Sequence, residues 1–341
     1  MRQSLTKLTL ALAISAIAAF AQSKPSFEVA TIKPSPPMDP AKMMAALQGG
    51  GKMPVGANIE GLRAEYLYLD LKTLITYAYG VKPYQISGPD WMSSTRFDIV
   101  ARLPEGSTKD DAPRMLQSLL EDRFKLAAHH ASAEHPVLAL LVGKNGPKLK
   151  ASADKPVAID DSAPLKPGEM KMDGPDGPVR AKVDIASGSS VVDMGLKGKM
   201  SYKLNLANQS MHIDFSMTTM GGFADMLTQL MTQMSGGPSA GVRQIVDMTG
   251  IKGNYDASFE ISLAEIMAMA RANGIAIPGR GPAAPGAGAP GAGDIPQASD
   301  PGGGGSSVND AVQSMGLKLE SRKAMVDQLV VDHLEKTPTD N

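Results

Sequence analysis

Residues 64–103 constrain the fold more than any other stretch, because an amphipathic helix pattern sits there between strand patterns. Leu71, Leu74, Ile75, Ala78 and Tyr79 follow i, i+3, i+4, i+7 and i+8, the one-face spacing of a 3.6-residue period. Asp70 stands where an N-cap belongs, and Gly80 where a helix ends in a left-handed residue. Residues 62–69 and 81–86 read as strands and 87–90 as a turn. Phe97, Ile99, Ala101 and Leu103 then share one face at period two. The only tryptophan, Trp91, follows the turn.

A paler form of the plan recurs in the C-terminal half. In the first half, Ala112, Met115, Leu116, Leu119 and Leu120 mark a second helix, with Pro113 near its start where a missing N–H costs little. Residues 124–128 and 136–142 read as a closing hairpin. In the second half, residues 211–216 suggest a strand. Phe223, Met226, Leu227, Leu230, Met231 and Met234 form a helix face. Residues 242–248 and 254–263 suggest two more strands. A capping-box pattern from Ser307 to Asp310 opens a short helix, and residues 316–320 and 326–334 close as a hairpin. The pairs Phe97-Asp98 and Tyr255-Asp256 answer one another in alternating strands. The expected fold is α+β: two tandem β-α-β-β-α-β-β repeats, each a small mixed sheet covered by two helices.

This divides the chain into a signal peptide at 1–21 and a leading strand and loop at 22–60. A first repeat follows at 61–150, then a linker or elaborated loop at 151–205. The second repeat spans 206–341 and carries a low-complexity Gly, Pro, Ala and Ser insertion at 275–306, expected to lack fixed structure. The export reading rests on Arg2 and Lys7, the apolar run 8–20 and the Ala19-Phe20-Ala21 cleavage site. About 20 apolar residues are needed to span a bilayer, so no transmembrane anchor is expected after cleavage near Ala21. The product should be periplasmic or extracellular.

Composition narrows the function classes. The formal net charge of −1 over 341 residues carries no clustered basic footprint, so no nucleic-acid partner is expected. There is no cysteine, which removes disulfides and a lipidated N-terminal cysteine alike. Hydrophobic residues make up 43% and aromatics only 4%, so the cores must be aliphatic and Met-rich.

The chemistry-bearing residues give no catalytic, cofactor or metal assignment. Gly237-Pro-Ser-Ala-Gly241 matches the nucleophile-elbow spacing, but a helix precedes it and a strand follows, the reverse of what the elbow needs. His129, His130 and His135 cluster, yet adjacent strand residues face opposite ways, so His129 and His130 cannot both face one ion. Asp90 and Asp98 flank Trp91; a turn bond for the first and a solvent-facing position for the second account for them. Trp91, Asp90 and Tyr84 remain as ligand-binding candidates, with Trp91 also suited to plugging a gap between helix and sheet.

Several motifs resemble a family of exported soil-bacterial proteins known only as a domain of unknown function. They are Phe27-Glu-Val-Ala-Thr-Ile-Lys-Pro-Ser35, Ala78-Tyr-Gly80, Tyr84-Gln-Ile-Ser-Gly-Pro-Asp-Trp91, Arg96-Phe-Asp-Ile-Val100 and Leu119-Leu-Glu-Asp-Arg-Phe-Lys-Leu126. Gly146-Pro-Lys-Leu149, Val246-Asp-Met-Thr-Gly250, Gly253-Asn-Tyr-Asp256 and Val330-Val-Asp-His333 continue the match. The resemblance brings no activity and no catalytic residues. The element order of each half also resembles the small N-terminal domain of secretins and TonB-dependent transporters, which are periplasmic interaction modules; this is analogy of fold alone. The function expected is that of an exported binding module for a protein or envelope component. The alternative is a cell-envelope hydrolase with its site between the repeats.

Overall fold

The computed structural model describes residues 24–37, 51–52, 55–184, 186–234, 243–264 and 306–339, with isolated positions 41, 45 and 266. The signal segment 1–21, the motif 237–241 and positions 275–305 of the insertion lie outside the described residues.

In chain order the strands and helices are β1 (Val29–Pro34), β2 (Gly51–Lys52), β3 (Gly56–Glu60), β4 (Arg63–Asp70), α1 (Leu71–Tyr79), β5 (Ile86–Ser87), β6 (Arg96–Arg102), α2 (Ala112–Phe124) and β7 (Ala127–Val142). Then come β8 (Lys150–Ala151), β9 (Glu169–Gly174), β10 (Gly177–Asp184), β11 (Ser189–Asp193), β12 (Lys199–Asn205) and β13 (Ser210–Thr218). The chain continues with α3 (Met220–Met234), β14 (Ile245–Asp247), β15 (Tyr255–Ser262), α4 (Ser306–Ser314) and β16 (Leu317–His333).

Local rules hold at the ends of α1. The Asp70 carboxylate accepts the Thr73 backbone N–H and the Thr73 hydroxyl, each at 2.8 Å. Gly80 closes the helix at φ 63° and donates its N–H to the Thr76 carbonyl. These satisfy orphan groups that a helix otherwise leaves bare at both ends.

The tandem-repeat expectation does not hold. The main sheet follows one antiparallel path, β1-β6-β4-β3-β9-β10-β11-β12-β13-β15-β8, with β2 added parallel to β9. Strands of both halves share it, and the stretch 151–205 carries β9, β10, β11 and β12 within it. The second sheet, β14-β7-β16-β5, also mixes the halves. Its centre is a long ribbon: β7 has 16 residues, β16 has 17, and their register runs unbroken from Leu317↔Val142 to Val331↔Ala128. The two expected closing hairpins are therefore single strands. Each pairs with the other instead of folding back on itself, so neither half closes a sheet of its own.

The ribbon also crosses the cores. Leu329, Val331 and Leu334 pack with Leu74, Phe97, Ile99 and Phe124 in the first core. Leu140 packs with Phe215, Phe223, Leu227 and Val312 in the second. Edge-to-face aromatic pairs fix each centre, Phe97–Phe124 at 5.1 Å and Phe215–Phe223 at 5.0 Å.

Candidate functional site

Tyr84, Asp90 and Trp91 lie on the segment that joins α1 to β6. Pro83–Gln85 and Asp90–Ser93 each form a short 3-10 helix around β5. β5 lies parallel to the end of β16, Leu329 beside Ile86, and Gln85 donates its side-chain amide to the Asp327 carbonyl at 2.9 Å. Lys82 makes an ion pair with Asp225 of α3. Burial pushes the Tyr84 hydroxyl up to about 12; Gln244 opposes this by hydrogen bonding, and the charges of Asp225 and Asp176 add to it. Burial thus favours the protonated phenol of Tyr84 at neutral pH. It belongs to a joint between α1, α3 and β16.

Trp91 is half-buried against the first core, with the Lys336 ammonium 5.2 Å from its ring centroid. Asp90 is exposed at the start of its 3-10 turn. Its charge acts on Lys72, whose pKa burial lowers while Asp70 and Asp90 oppose the shift. The three residues do not share a partner. Asp98 does not face solvent as the strand alternation suggested: its carboxylate accepts the Ser35 hydroxyl at 2.5 Å and the Tyr68 N–H at 2.8 Å.

The histidines line the ribbon without converging. His129 Nδ1 is 2.7 Å from Asp332, His130 Nδ1 is 3.5 Å from Asp327, and His135 contacts Gln328. Among the described residues no group of three or more His, Asp or Glu side chains is placed to hold a metal ion. His212 lies between Asp214 at 3.1 Å and Glu260 at 3.6 Å. It lines an open depression of about 490 Å³ with Lys203, Asn205 and Glu260.

The feature that sequence reasoning missed is the edge of β7. Leu138 donates its N–H to the Gln244 carbonyl, and the Leu140 carbonyl accepts the Met248 N–H, both on the β14 side. Gly143 donates to Gly316 on the β16 side. Backbone direction alternates along a strand, so the groups of His130, Ser132 and Glu134 point the same way as those of Leu138 and Leu140. β14 covers only Leu138, Ala139 and Leu140. Among the described residues nothing hydrogen-bonds to His130, Ser132 or Glu134 on that side. Pro136, whose nitrogen carries no hydrogen, falls on the same parity, where its lack of a donor breaks no ladder bond. A signal existed in the sequence: His130, Ser132, Glu134 and Pro136 alternate with Ala131, Ala133 and His135 at period two.

The fold is not the expected α+β layout: strands dominate it, in one long antiparallel sheet and a second four-stranded sheet, with the β7–β16 ribbon reaching both cores. Residues 72–334 match the model of the family described as protein of unknown function (DUF3738), and the chain belongs to that family. No curated protein and no solved structure matches the chain, so the likeness to secretin and TonB-receptor domains finds no counterpart there. No helix among the described residues is long and apolar enough to cross a membrane.

Proposed function

We propose that this protein is an exported interaction module that holds an extended segment of another polypeptide on the open edge of β7. The observation that carries the reading is the row at His130, Ser132 and Glu134, to which nothing among the described residues hydrogen-bonds on the side away from β16. Strand addition uses such a row: main-chain bonds supply affinity and alternate side chains supply selectivity. Unpaired edges are normally blunted by charge, proline, bulges or covering elements; Glu134 and Pro136 stand at one end of this row, and residues 131–133 read Ala-Ser-Ala at its centre. The apolar run 8–20 and the Ala19-Phe20-Ala21 pattern support the export part of this reading.

The test is affinity capture from the native envelope with wild-type and Ser132→Pro baits. Proline at this outward-facing position removes the donor and blocks approach, yet breaks no bond to β16. Proteins retained by wild type and lost with Ser132→Pro support the reading. Identical capture by both baits overturns it.

A further inference from the structure

We propose that the occupant of the β7 edge is a second copy of the same chain, paired antiparallel about Ser132. The inference rests on the edge reading above and names the partner.

The argument is self-complementarity. A two-fold axis makes an interface isologous, so whatever a strand presents must match itself reversed. With Ser132 opposite Ser132 of the second copy, His130 falls opposite Glu134 of that copy, and Glu134 opposite its His130. The two donor–acceptor pairs lie on the outward parity, where the backbone groups also meet. Other registers lose this match. An axis at Glu134 sets two carboxylates face to face, and one at His130 sets two imidazoles face to face. An axis at Ala131 or Ala133 leaves Glu134 opposite Ala128 or Ser132. Opposite-charge and hydrogen-bonding cross-strand pairs are favourable, and like charges directly opposite are not.

The small side chains at the centre let the two strands approach. On the other face Ala131 meets Ala133 of the second copy, and His129 meets its His135. Ala128 faces Pro136 of the second copy, whose carbonyl accepts a bond although its nitrogen cannot give one. The exposed side chains of His130 and Glu134 now lean on Asp327 and Lys323 of their own chain. Both ion pairs are solvent-exposed, so sharing them with a neighbouring strand costs little. The opposite edge of the ribbon is different. Arg322 and Lys323 occupy its middle, charges of the kind that keep edges apart. One self-matching edge and one blunted edge give a closed dimer, not a growing sheet. A single strand-to-strand contact buries less than the roughly 1,200 Å² of stable interfaces, so the dimer should be weak and concentration-dependent.

The absence of cysteine supplies the test, because any introduced thiol is the sole one. In the proposed register the Cα atoms of Ser132 and Ser132 of the second copy stand about 5.5 Å apart, within disulfide range. Residue 134 is offset from itself by four residues, about 13 Å along the strand, beyond bridging range. Oxidised Ser132→Cys should therefore give a covalent dimer, whereas Glu134→Cys and Lys323→Cys should not. Sedimentation velocity of the wild type should show a mass that rises with concentration, and Ser132→Lys should abolish the rise by setting two ammonium groups opposite each other. Equal cross-linking of all three cysteine variants, or no cross-linking of Ser132→Cys, overturns the proposal. So does a mass that stays monomeric at high concentration, or one that rises unchanged in Ser132→Lys. If the dimer fails while envelope capture still depends on Ser132→Pro, the second-copy inference falls and the edge reading stands.

Discussion

The carboxylate of Asp98 accepts the backbone N–H of Tyr68 at 2.8 Å, at the point where β4 bulges and Tyr68 turns to φ 56°. Asp256 does the same for Met217, which also has φ 56°, at the bulge of β13. A bulge leaves one backbone group without a ladder partner, and a non-glycine residue at positive φ is strained. The aspartate of the neighbouring strand supplies the missing acceptor in both places. Each aspartate also accepts a serine hydroxyl, from Ser35 and Ser152 respectively.

Asp98→Ala and Asp256→Ala should each cost about 1.5–3 kcal/mol, the usual loss for a hydrogen bond to a charged group. Asp98→Asn should lose less, since an amide oxygen still accepts. Urea titration of the variants checks this. Losses under about 0.5 kcal/mol, ordinary for surface positions, would return Asp98 to the solvent-facing role that strand alternation suggested.

How far the sequence was legible follows from where its information sits. The α1 face and the caps at Asp70 and Gly80 were readable because they depend on residues within one turn of each other. Leu74 and Ile75 are fully buried, and Phe97 and Ile99 lie in the same core. The bulges were not readable, because a period-two pattern does not announce one extra residue; Asp98 was misread for that reason. Residues 129–135 carry His, Ser and Glu on one face and only His and Ala on the other, so they read as the turn of a hairpin, whereas they are the middle of β7. A ribbon with little buried on either side looks like a turn from its composition. The edge was hidden by the same fact, since backbone direction becomes assignable only once β14 and β16 fix the parity.

The strand crossing gives the second prediction. Leu329, on β16, lies in the first core, and Leu140, on β7, lies in the second, both fully buried. Leu329→Ala and Leu140→Ala should each cost about 2–5 kcal/mol. More tellingly, each should lower a single thermal transition followed by the near-UV signals of both halves, because the ribbon couples the cores. Two separate transitions, with only one moved by each variant, would contradict this.

Gly316 gives a third. Its φ is 73°, and a Cβ there would collide with the Gly146 carbonyl oxygen. That close approach comes with Gly143 donating to the Gly316 carbonyl and Lys148 donating to the Met315 carbonyl, each at 2.8 Å. Gly80 has a similar φ of 63° but open space around it. Gly80→Ala should therefore cost only the left-handed strain, about 1–2 kcal/mol. Gly316→Ala should cost clearly more, because backbone must move as well. Equal denaturation midpoints for the two variants would refute the clash.

The last prediction concerns pH and the charges that fasten β9 to the first half. Lys109 makes ion pairs with Asp161 at 2.7 Å and with Asp173, which is almost fully buried and also accepts the Ile59 N–H at 2.7 Å. Lys171 holds Asp161 from the other side. Burial alone would raise the Asp161 carboxyl, but hydrogen bonds and charges from Lys109 and Lys171 outweigh it and hold it below the usual carboxylate range. Burial likewise pulls Lys109 down, and Asp161 with Asp173 outweighs that and raises it. A depressed carboxyl stabilises the fold above its unfolded pKa of about 3.9 and stops doing so as pH falls through the lower folded value. A raised ammonium stabilises below its unfolded pKa of about 10.4 and stops as pH climbs through the higher folded value. Between those limits both contributions are present. Lys109→Met should therefore lower the urea midpoint at pH 7, and the gap from wild type should narrow as pH falls below about 4. It should narrow again toward the alkaline limit. A gap of the same size at pH 3 and pH 7 would mean that Lys109 acts through the packing of its stem and not through its charge.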